Sequence, residues 1–203
     1  MWKTNLLNIK YLSSSTKDIL CHQLKAQHSP HRMKNIKLIV SDIDGVWTDG
    51  SFYYTIEGDS VRKFTTKDSY GAALAKISKI PVLILSGEEN PMVKKRMKKL
   101  GLKHVKLGVK NKFGTLADFC KNKKIKLTEV AFLGDDMNDF HLVGRLGFFA
   151  CPSDAYPLIR ENADKILLTA GGNGCFREFV EYILQQQGNL ESAYKIYLSQ
   201  NGE

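Results

Sequence analysis

The sequence predicts an α/β fold of three layers, with helices on both faces of a mainly parallel β-sheet and one β-hairpin inserted near its start. Three observations predict it. Short apolar runs recur along the chain with helical patterns between them. Two of those runs end on clustered aspartates. One block, residues 50–69, is rich in aromatic and β-branched residues and interrupts the alternation.

The elements follow in order. Residues 1–34 carry "SSST", a weakly amphipathic piece with Ile19, Leu20 and Leu24, and the breaker "QHSPHR". They are expected to form an appendage with little fixed order, ahead of a folded body over 35–188. "IKLIV" (36–40) reads as a buried parallel strand. Residues 50–69 turn at Glu57-Gly58-Asp59 and read as a hairpin. Its row "SFYYTI" would be an unprotected sheet edge, so the hairpin is expected to be a flap beside the site, able to pair with another subunit. Helical patterns over 69–79, 91–100, 112–123 and 138–145 alternate with strands over 81–86, 104–109, 129–134 and 147–152, and residues 189–203 form a tail. Right-handed crossovers place the site at the carboxyl ends of such strands.

Composition narrows the function. A chain of 203 residues suits one domain, and 43% hydrophobic with 25% charged residues is ordinary for a water-soluble protein. No apolar run approaches the roughly 18 residues of a membrane span, and the N-terminus lacks an apolar signal core. The 4 cysteines are scattered without a C-x-x-C pair, so a reduced, cytoplasmic setting is expected. The net charge of +9 gathers in Lys94–Lys99 and Lys121–Lys126. Met92, Val93, Met97 and Leu100 fall at helical spacing through the first run, which makes its lysines the wet side of an amphipathic helix. No aromatic residues interleave to stack on bases, so a small anionic substrate fits this charge better than nucleic acid.

The acids carry the chemistry. Asp42 and Asp44 stand at i and i+2 where the first strand ends, a spacing that lets two carboxylates converge in an extended segment. "FLGDDMNDF" ends another strand on Asp135, Asp136 and Asp139. Carboxyl ends of parallel strands lie together, so the two clusters can meet around a hard cation such as Mg²⁺. Either cluster alone reads equally well as helix caps and turns; the pair at strand ends reads as a site. Ser86 and Gly87 close the "PVLILSG" strand, offering a hydroxyl and an N–H to an anion, and Lys112 opens the next helix with a positive charge. A carboxylate nucleophile, a cation, a hydroxyl and a lysine around one point suit phosphoryl transfer.

"DIDGVWTDG", "LILSG", Lys112 and "GDDMND" resemble, in order and spacing, the four motifs of the haloacid dehalogenase superfamily of phosphatases, over about residues 36–188. The resemblance implies its Rossmann-like fold and a Mg²⁺-dependent phosphatase that works through an aspartyl-phosphate. It implies Asp42 as nucleophile and Asp44 as general acid/base. It implies Asp42, Asp135 and the main-chain carbonyl of Asp44 as metal ligands, Ser86, Gly87 and Lys112 as the phosphate cradle, and Asp136 and Asp139 as supporting acids. Only the hairpin and one helix separate the first two motifs, too little for a cap domain.

The chain is therefore similar to the capless subclass that acts on 2-keto-3-deoxy sugar-acid phosphates, typically as homotetramers in which hairpins and a neighbour's C-terminal segment close the site. "FTTKDSYG" and "AGGNGCFREFVEYIL" also match its signatures. Glu88 after Gly87, and Trp47 in the first motif, resemble the nine-carbon, sialic-acid-type branch rather than the eight-carbon branch, which usually continues Gly-Arg. In that branch Glu88 and Lys99 are implicated in substrate recognition. Arg177 in this chain reads equally as a residue near the substrate carboxylate and as an ion-pair partner of Glu178 or Glu181. The expectation is thus a nine-carbon 9-phosphate substrate, with the eight-carbon octulosonate 8-phosphate as the alternative. Two rivals remain: a catalytically lost oligomerisation module, against which the intact Asp42, Asp44, Ser86, Lys112 and Asp135 argue, and a basic nucleic-acid-binding protein.

Overall fold

The computed structural model describes residues 33–200 and 202. The appendage expected over 1–34 lies, apart from Met33 and Lys34, outside the described residues. Six strands form one parallel sheet: β1 (Leu38–Ser41), β4 (Val82–Leu85), β5 (His104–Lys106), β6 (Val130–Leu133), β7 (Phe148–Cys151) and β8 (Lys165–Ile166), in the order β5-β4-β1-β6-β7-β8. β1 is central, with Ile39 opposite Val82 on one side and Ala131 on the other. All its residues are buried, which is why it reads as an unbroken apolar run.

The pleat sorts these side chains between two cores. Ile39, Ile84, Leu133 and Phe148 face a layer of α1 (Lys67–Ile77), α2 (Pro91–Lys99), α5 (Cys175–Gln186) and α6 (Leu190–Gln200). Leu38, Val40, Leu83 and Phe132 face α3 (Lys112–Lys123), α4 (Pro157–Asn162) and a 3₁₀ turn. This is the three-layer α/β/α arrangement expected. α1 and α5 cross closely at Gly71, where a Cβ would lie 2.8 Å from the Arg177 Cα. Asp68 of α1 accepts the Arg177 N–H at 3.1 Å, tying α1 to the first turn of α5.

The hairpin, β2 (Tyr53–Thr55) and β3 (Gly58–Val61), is antiparallel and forms its own two-stranded sheet, apart from the main one. Hairpin and α1 are the elements between β1 and β4, so no cap domain is present in that interval.

Several elements differ from expectation. The helix expected over 138–145 is a 3₁₀ helix, Met137–Leu142, because Asp136 caps the Met137 N–H at 2.6 Å and Asp139 turns back to the Asp135 N–H at 3.2 Å. The strand expected over 104–109 stops at Lys106. Most of the tail is the helix α6, whose Tyr197 ring sits 5.4 Å from Tyr70 of α1 and whose Tyr194 hydroxyl donates to Glu181 at 2.7 Å.

Candidate active site

The strand β1 ends at Ser41, and the next residues build the site. The Asp42 N–H donates to the Leu133 carbonyl at 3.0 Å, so this turn starts in register with the end of β6. One Asp42 oxygen accepts the Ile43 N–H at 2.7 Å. The N–H groups of Val46, Trp47 and Thr48 all point at the Ile43 carbonyl, 2.8–3.2 Å away. Trp47 pins the turn from below, stacked 4.2 Å from the Phe176 ring and donating its indole N–H to Ser41 Oγ at 3.0 Å.

Asp42 and Asp44 both line one cavity, as their spacing leads one to expect, and the Asp42 charge acts on Asp44. The Asp44 carboxylate leaves the acid cluster and pairs with the Arg62 guanidinium, with the Thr48 hydroxyl at 3.4 Å. Burial lifts the Asp44 carboxyl above its ordinary value, with Arg62 pulling the other way.

From the end of β6, Asp135 and Asp139 come to meet Asp42: one carboxylate oxygen from each lies within 4.8 Å of the others. Gly45 permits this approach. A Cβ there would stand 1.9 Å from Asp135 Oδ2, so any side chain at this left-handed position would displace the Asp135 carboxylate. Lys112, the first residue of α3 behind the N-cap Asn111, sits behind the cluster. Its Nζ is 2.7 Å from Asp42 and 2.6 Å from Asp139. Burial opposes the lysine's charge, but these two carboxylates outweigh it and hold Lys112 above its usual value. Asp139 is fully engaged, since its other oxygen accepts the Asp135 N–H. Burial pushes it up, against the pull of Lys112.

Asp135 has less relief, since the Lys112 charge is the smallest of the influences on it. Burial and the charges of Asp42, Asp139 and Asp136 push its carboxyl up to about 8. A carboxylate crowded by other acids, beside a second carboxylate with all donors oxygen, fits a hard divalent cation of the Mg²⁺ kind.

Asp42, Asp44, Lys112 and Asp135 line an open cavity of about 520 Å³, whose walls also include Ser86, Gly87, Glu88, Asp136, Asn138 and Phe52 of the flap. Ser86 is buried, and its Oγ accepts the Glu88 N–H at 3.3 Å. The expected phosphate cradle and acids therefore meet in one place, with Asp136 exposed at its mouth. Two expected recognition residues do not line this cavity. Lys99 is exposed at the C-terminal end of α2. Arg177 is paired with Glu181 at 2.7 Å, one of the two partners expected, while Glu178 accepts the N–H groups of Leu168 and Thr169. Phe52, Asn138 and Arg62 were not singled out by sequence. "SVRKF" at the hairpin base offered a signal for Arg62, but its partner lies 18 residues back.

Fold and site together define a haloacid-dehalogenase-type phosphatase. The family model of haloacid dehalogenase-like hydrolases matches residues 108–179. The chain is 33% identical, over 173 residues, to the 3-deoxy-D-manno-octulosonate 8-phosphate phosphatase of Salmonella typhi, covering 85% of this chain and 92% of that protein. Among solved structures, a probable YrbI family phosphatase from Pseudomonas syringae pv. phaseolica superposes with a TM-score of 0.80 at 37% identity, covering 85% of this chain and 98% of that one. The 3-deoxy-D-manno-octulosonate 8-phosphate phosphatase of Moraxella catarrhalis, in complex with a magnesium ion, a phosphate ion and a KDO molecule, gives 0.79 at 33% identity, covering 83% and 97%. The chain belongs to the haloacid dehalogenase-like hydrolases and is a phosphoric monoester hydrolase.

Proposed function

We propose that the protein hydrolyses the phosphomonoester of the eight-carbon sugar acid 3-deoxy-D-manno-octulosonate 8-phosphate, with Mg²⁺ as cofactor. The single observation that carries the substrate is 33% identity across 92% of a phosphatase of that name. This replaces the nine-carbon preference expected from Glu88 and Trp47. One position after the second motif weighs less than similarity along the whole chain, and Trp47 is a core residue stacked on Phe176, away from the cavity.

Asp42 and Asp135 would hold the cation, with the main-chain carbonyl of Asp44, while Asp139 anchors Lys112. Bound there, Mg²⁺ supplies positive charge against the phosphoryl oxygens. The residues do the rest. Lys112 Nζ, Ser86 Oγ and the Gly87 N–H grip the phosphate and turn its phosphorus toward Asp42. The Asp42 carboxylate attacks phosphorus, the bond to the sugar oxygen breaks, and that oxygen leaves with the electron pair and takes a proton from Asp44. Water then attacks the phosphorus of the aspartyl-phosphate and gives a proton to Asp44. The acyl phosphate's P–O bond breaks, freeing inorganic phosphate and restoring the Asp42 carboxylate. The raised Asp44 carboxyl suits a group that must carry a proton for part of the cycle.

A homotetramer in the cytoplasm belongs to the same proposal. The flap supports it: Tyr54 is 72% and Ile56 101% exposed in the single chain, an apolar surface a second copy would cover. Light scattering of the purified protein measures the subunit count.

The test of function is a ranked panel. Octulosonate 8-phosphate should be hydrolysed with the highest kcat/KM, and only with Mg²⁺ present. A nonulosonate 9-phosphate turned over more efficiently would restore the nine-carbon reading.

A further inference from the structure

A buried contact joins the flap to the catalytic turn. Arg62 follows the last residue of β3, and its side chain is only 1% exposed. Its guanidinium packs over the Phe52 ring, 3.9 Å from the centroid, and an Nη1 N–H donates to Asp44 Oδ1. Phe52 precedes β2, so both legs of the hairpin converge on this arginine. A planar guanidinium stacked on a ring keeps its N–H groups near the plane of the guanidinium, and one of them is aimed at Asp44. Arg62 does not line the cavity, whereas Asp44 and Phe52 do.

We propose that Arg62 is a positioning residue for Asp44: clamped by Phe52, it fixes the orientation in which Asp44 delivers its proton to the leaving group, so that the seating of the flap sets the efficiency of acid catalysis. This rests on Asp44 being the acid. Thr48 is the other side chain that bonds Asp44, and at 3.4 Å its hydroxyl is a weak guide by itself. Without Arg62 the carboxylate is free to rotate about its side-chain bonds, and a proton donor misplaced by about 1 Å costs on the order of 100-fold.

The leaving group separates positioning from mere support. p-Nitrophenolate departs without a proton, whereas a sugar or alkyl alkoxide needs one. kcat/KM reports only the first half-reaction, up to departure of that group, so it isolates the step in which Asp44 acts as acid. The experiment measures kcat/KM with Mg²⁺ for p-nitrophenyl phosphate and for octulosonate 8-phosphate in wild type, Arg62→Met, Arg62→Lys, Phe52→Leu and Asp44→Asn, with circular dichroism of each. Asp44→Asn should lose far more on the sugar phosphate than on the aryl phosphate. Arg62→Met should show the same selective loss, about tenfold or more between the two substrates. Arg62→Lys and Phe52→Leu should fall between it and wild type.

Equal losses on both substrates in the Arg62 variants, beside a selective loss in Asp44→Asn, would overturn the positioning role and leave the acid in place. An Asp44→Asn variant without selectivity would instead remove the acid assignment on which the proposal stands. Should Arg62→Met not fold, Arg62→Lys and Phe52→Leu decide by the same criterion.

Discussion

Replacing Asp135 by Asn should abolish metal-dependent activity and, in the absence of metal, make the protein more stable. Asp135 is held at about 8 against an ordinary value of 3.8, first by burial and then by Asp42, Asp139 and Asp136. The sign follows from the direction. A carboxyl raised in the folded state favours folding while protonated, so its contribution is intact below pH 3.8 and declines as pH climbs to about 8. At about 1.4 kcal/mol per pH unit, that interval bounds the penalty at about 6 kcal/mol above pH 8. The cavity is open, and water and neighbouring side chains relax around the charge, so about 2–3 kcal/mol is the working figure.

Asn keeps the shape and carries no charge to bury. At roughly 2–4 °C per kcal/mol for a domain of this size, the variant should melt about 4–12 °C above wild type at pH 8.5 in EDTA. The gap should shrink toward pH 5. Calorimetry in EDTA and in Mg²⁺, at both pH values, measures it. Mg²⁺ should raise the wild-type Tm strongly and the variant's little, since a cation relieves the same repulsion. A variant that melts no higher than wild type at pH 8.5, or that gains as much from Mg²⁺, would refute the crowded-carboxylate account.

Asp42→Asn should remove turnover, by about 1,000-fold or more, with an unchanged circular dichroism spectrum, because the amide cannot form the phosphoester while the turn's hydrogen bonds persist. Glu88→Arg should shift the ratio of kcat/KM values further toward the eight-carbon substrate over the nine-carbon one, measured by phosphate release; an unchanged ratio would show that this cavity wall does not read the sugar. Deleting residues 190–203 removes the buried Ala193, the Tyr197–Tyr70 contact and the Tyr194–Glu181 hydrogen bond. It should lower the Tm by several degrees, about 1–3 kcal/mol, readable by thermal melting. We also expect reduced activity on the natural substrate, measured by phosphate release well below the melting range.

The sheet was legible because central parallel strands are apolar on both faces, as "LIV" and "VAFL" are, and the meeting of the two acid clusters followed from strand direction. Lys112 was legible because the helical pattern over 112–123 places it at a helix start. β8 was not, since Lys165–Ile166 is two residues with no period to read. That Asp42 and Asp44 open on one cavity followed from their spacing at the strand end, whereas the pairing of Asp44 with Arg62 did not. Arg62 depended on where the hairpin folds over the turn, a tertiary fact that no local pattern encodes.

The central claim is that Asp42 and Asp135 share one divalent cation in front of Lys112, and that Asp42 takes the phosphoryl group. A crystal structure with Mg²⁺ and beryllium trifluoride, a mimic of an acyl phosphate, tests both parts at once. The account predicts the fluoride adduct on the Asp42 carboxylate, a magnesium ion touching Asp42 and Asp135, and Lys112 Nζ on a fluorine. An adduct on another residue, or a magnesium ion that leaves Asp135 out of its coordination, would contradict it.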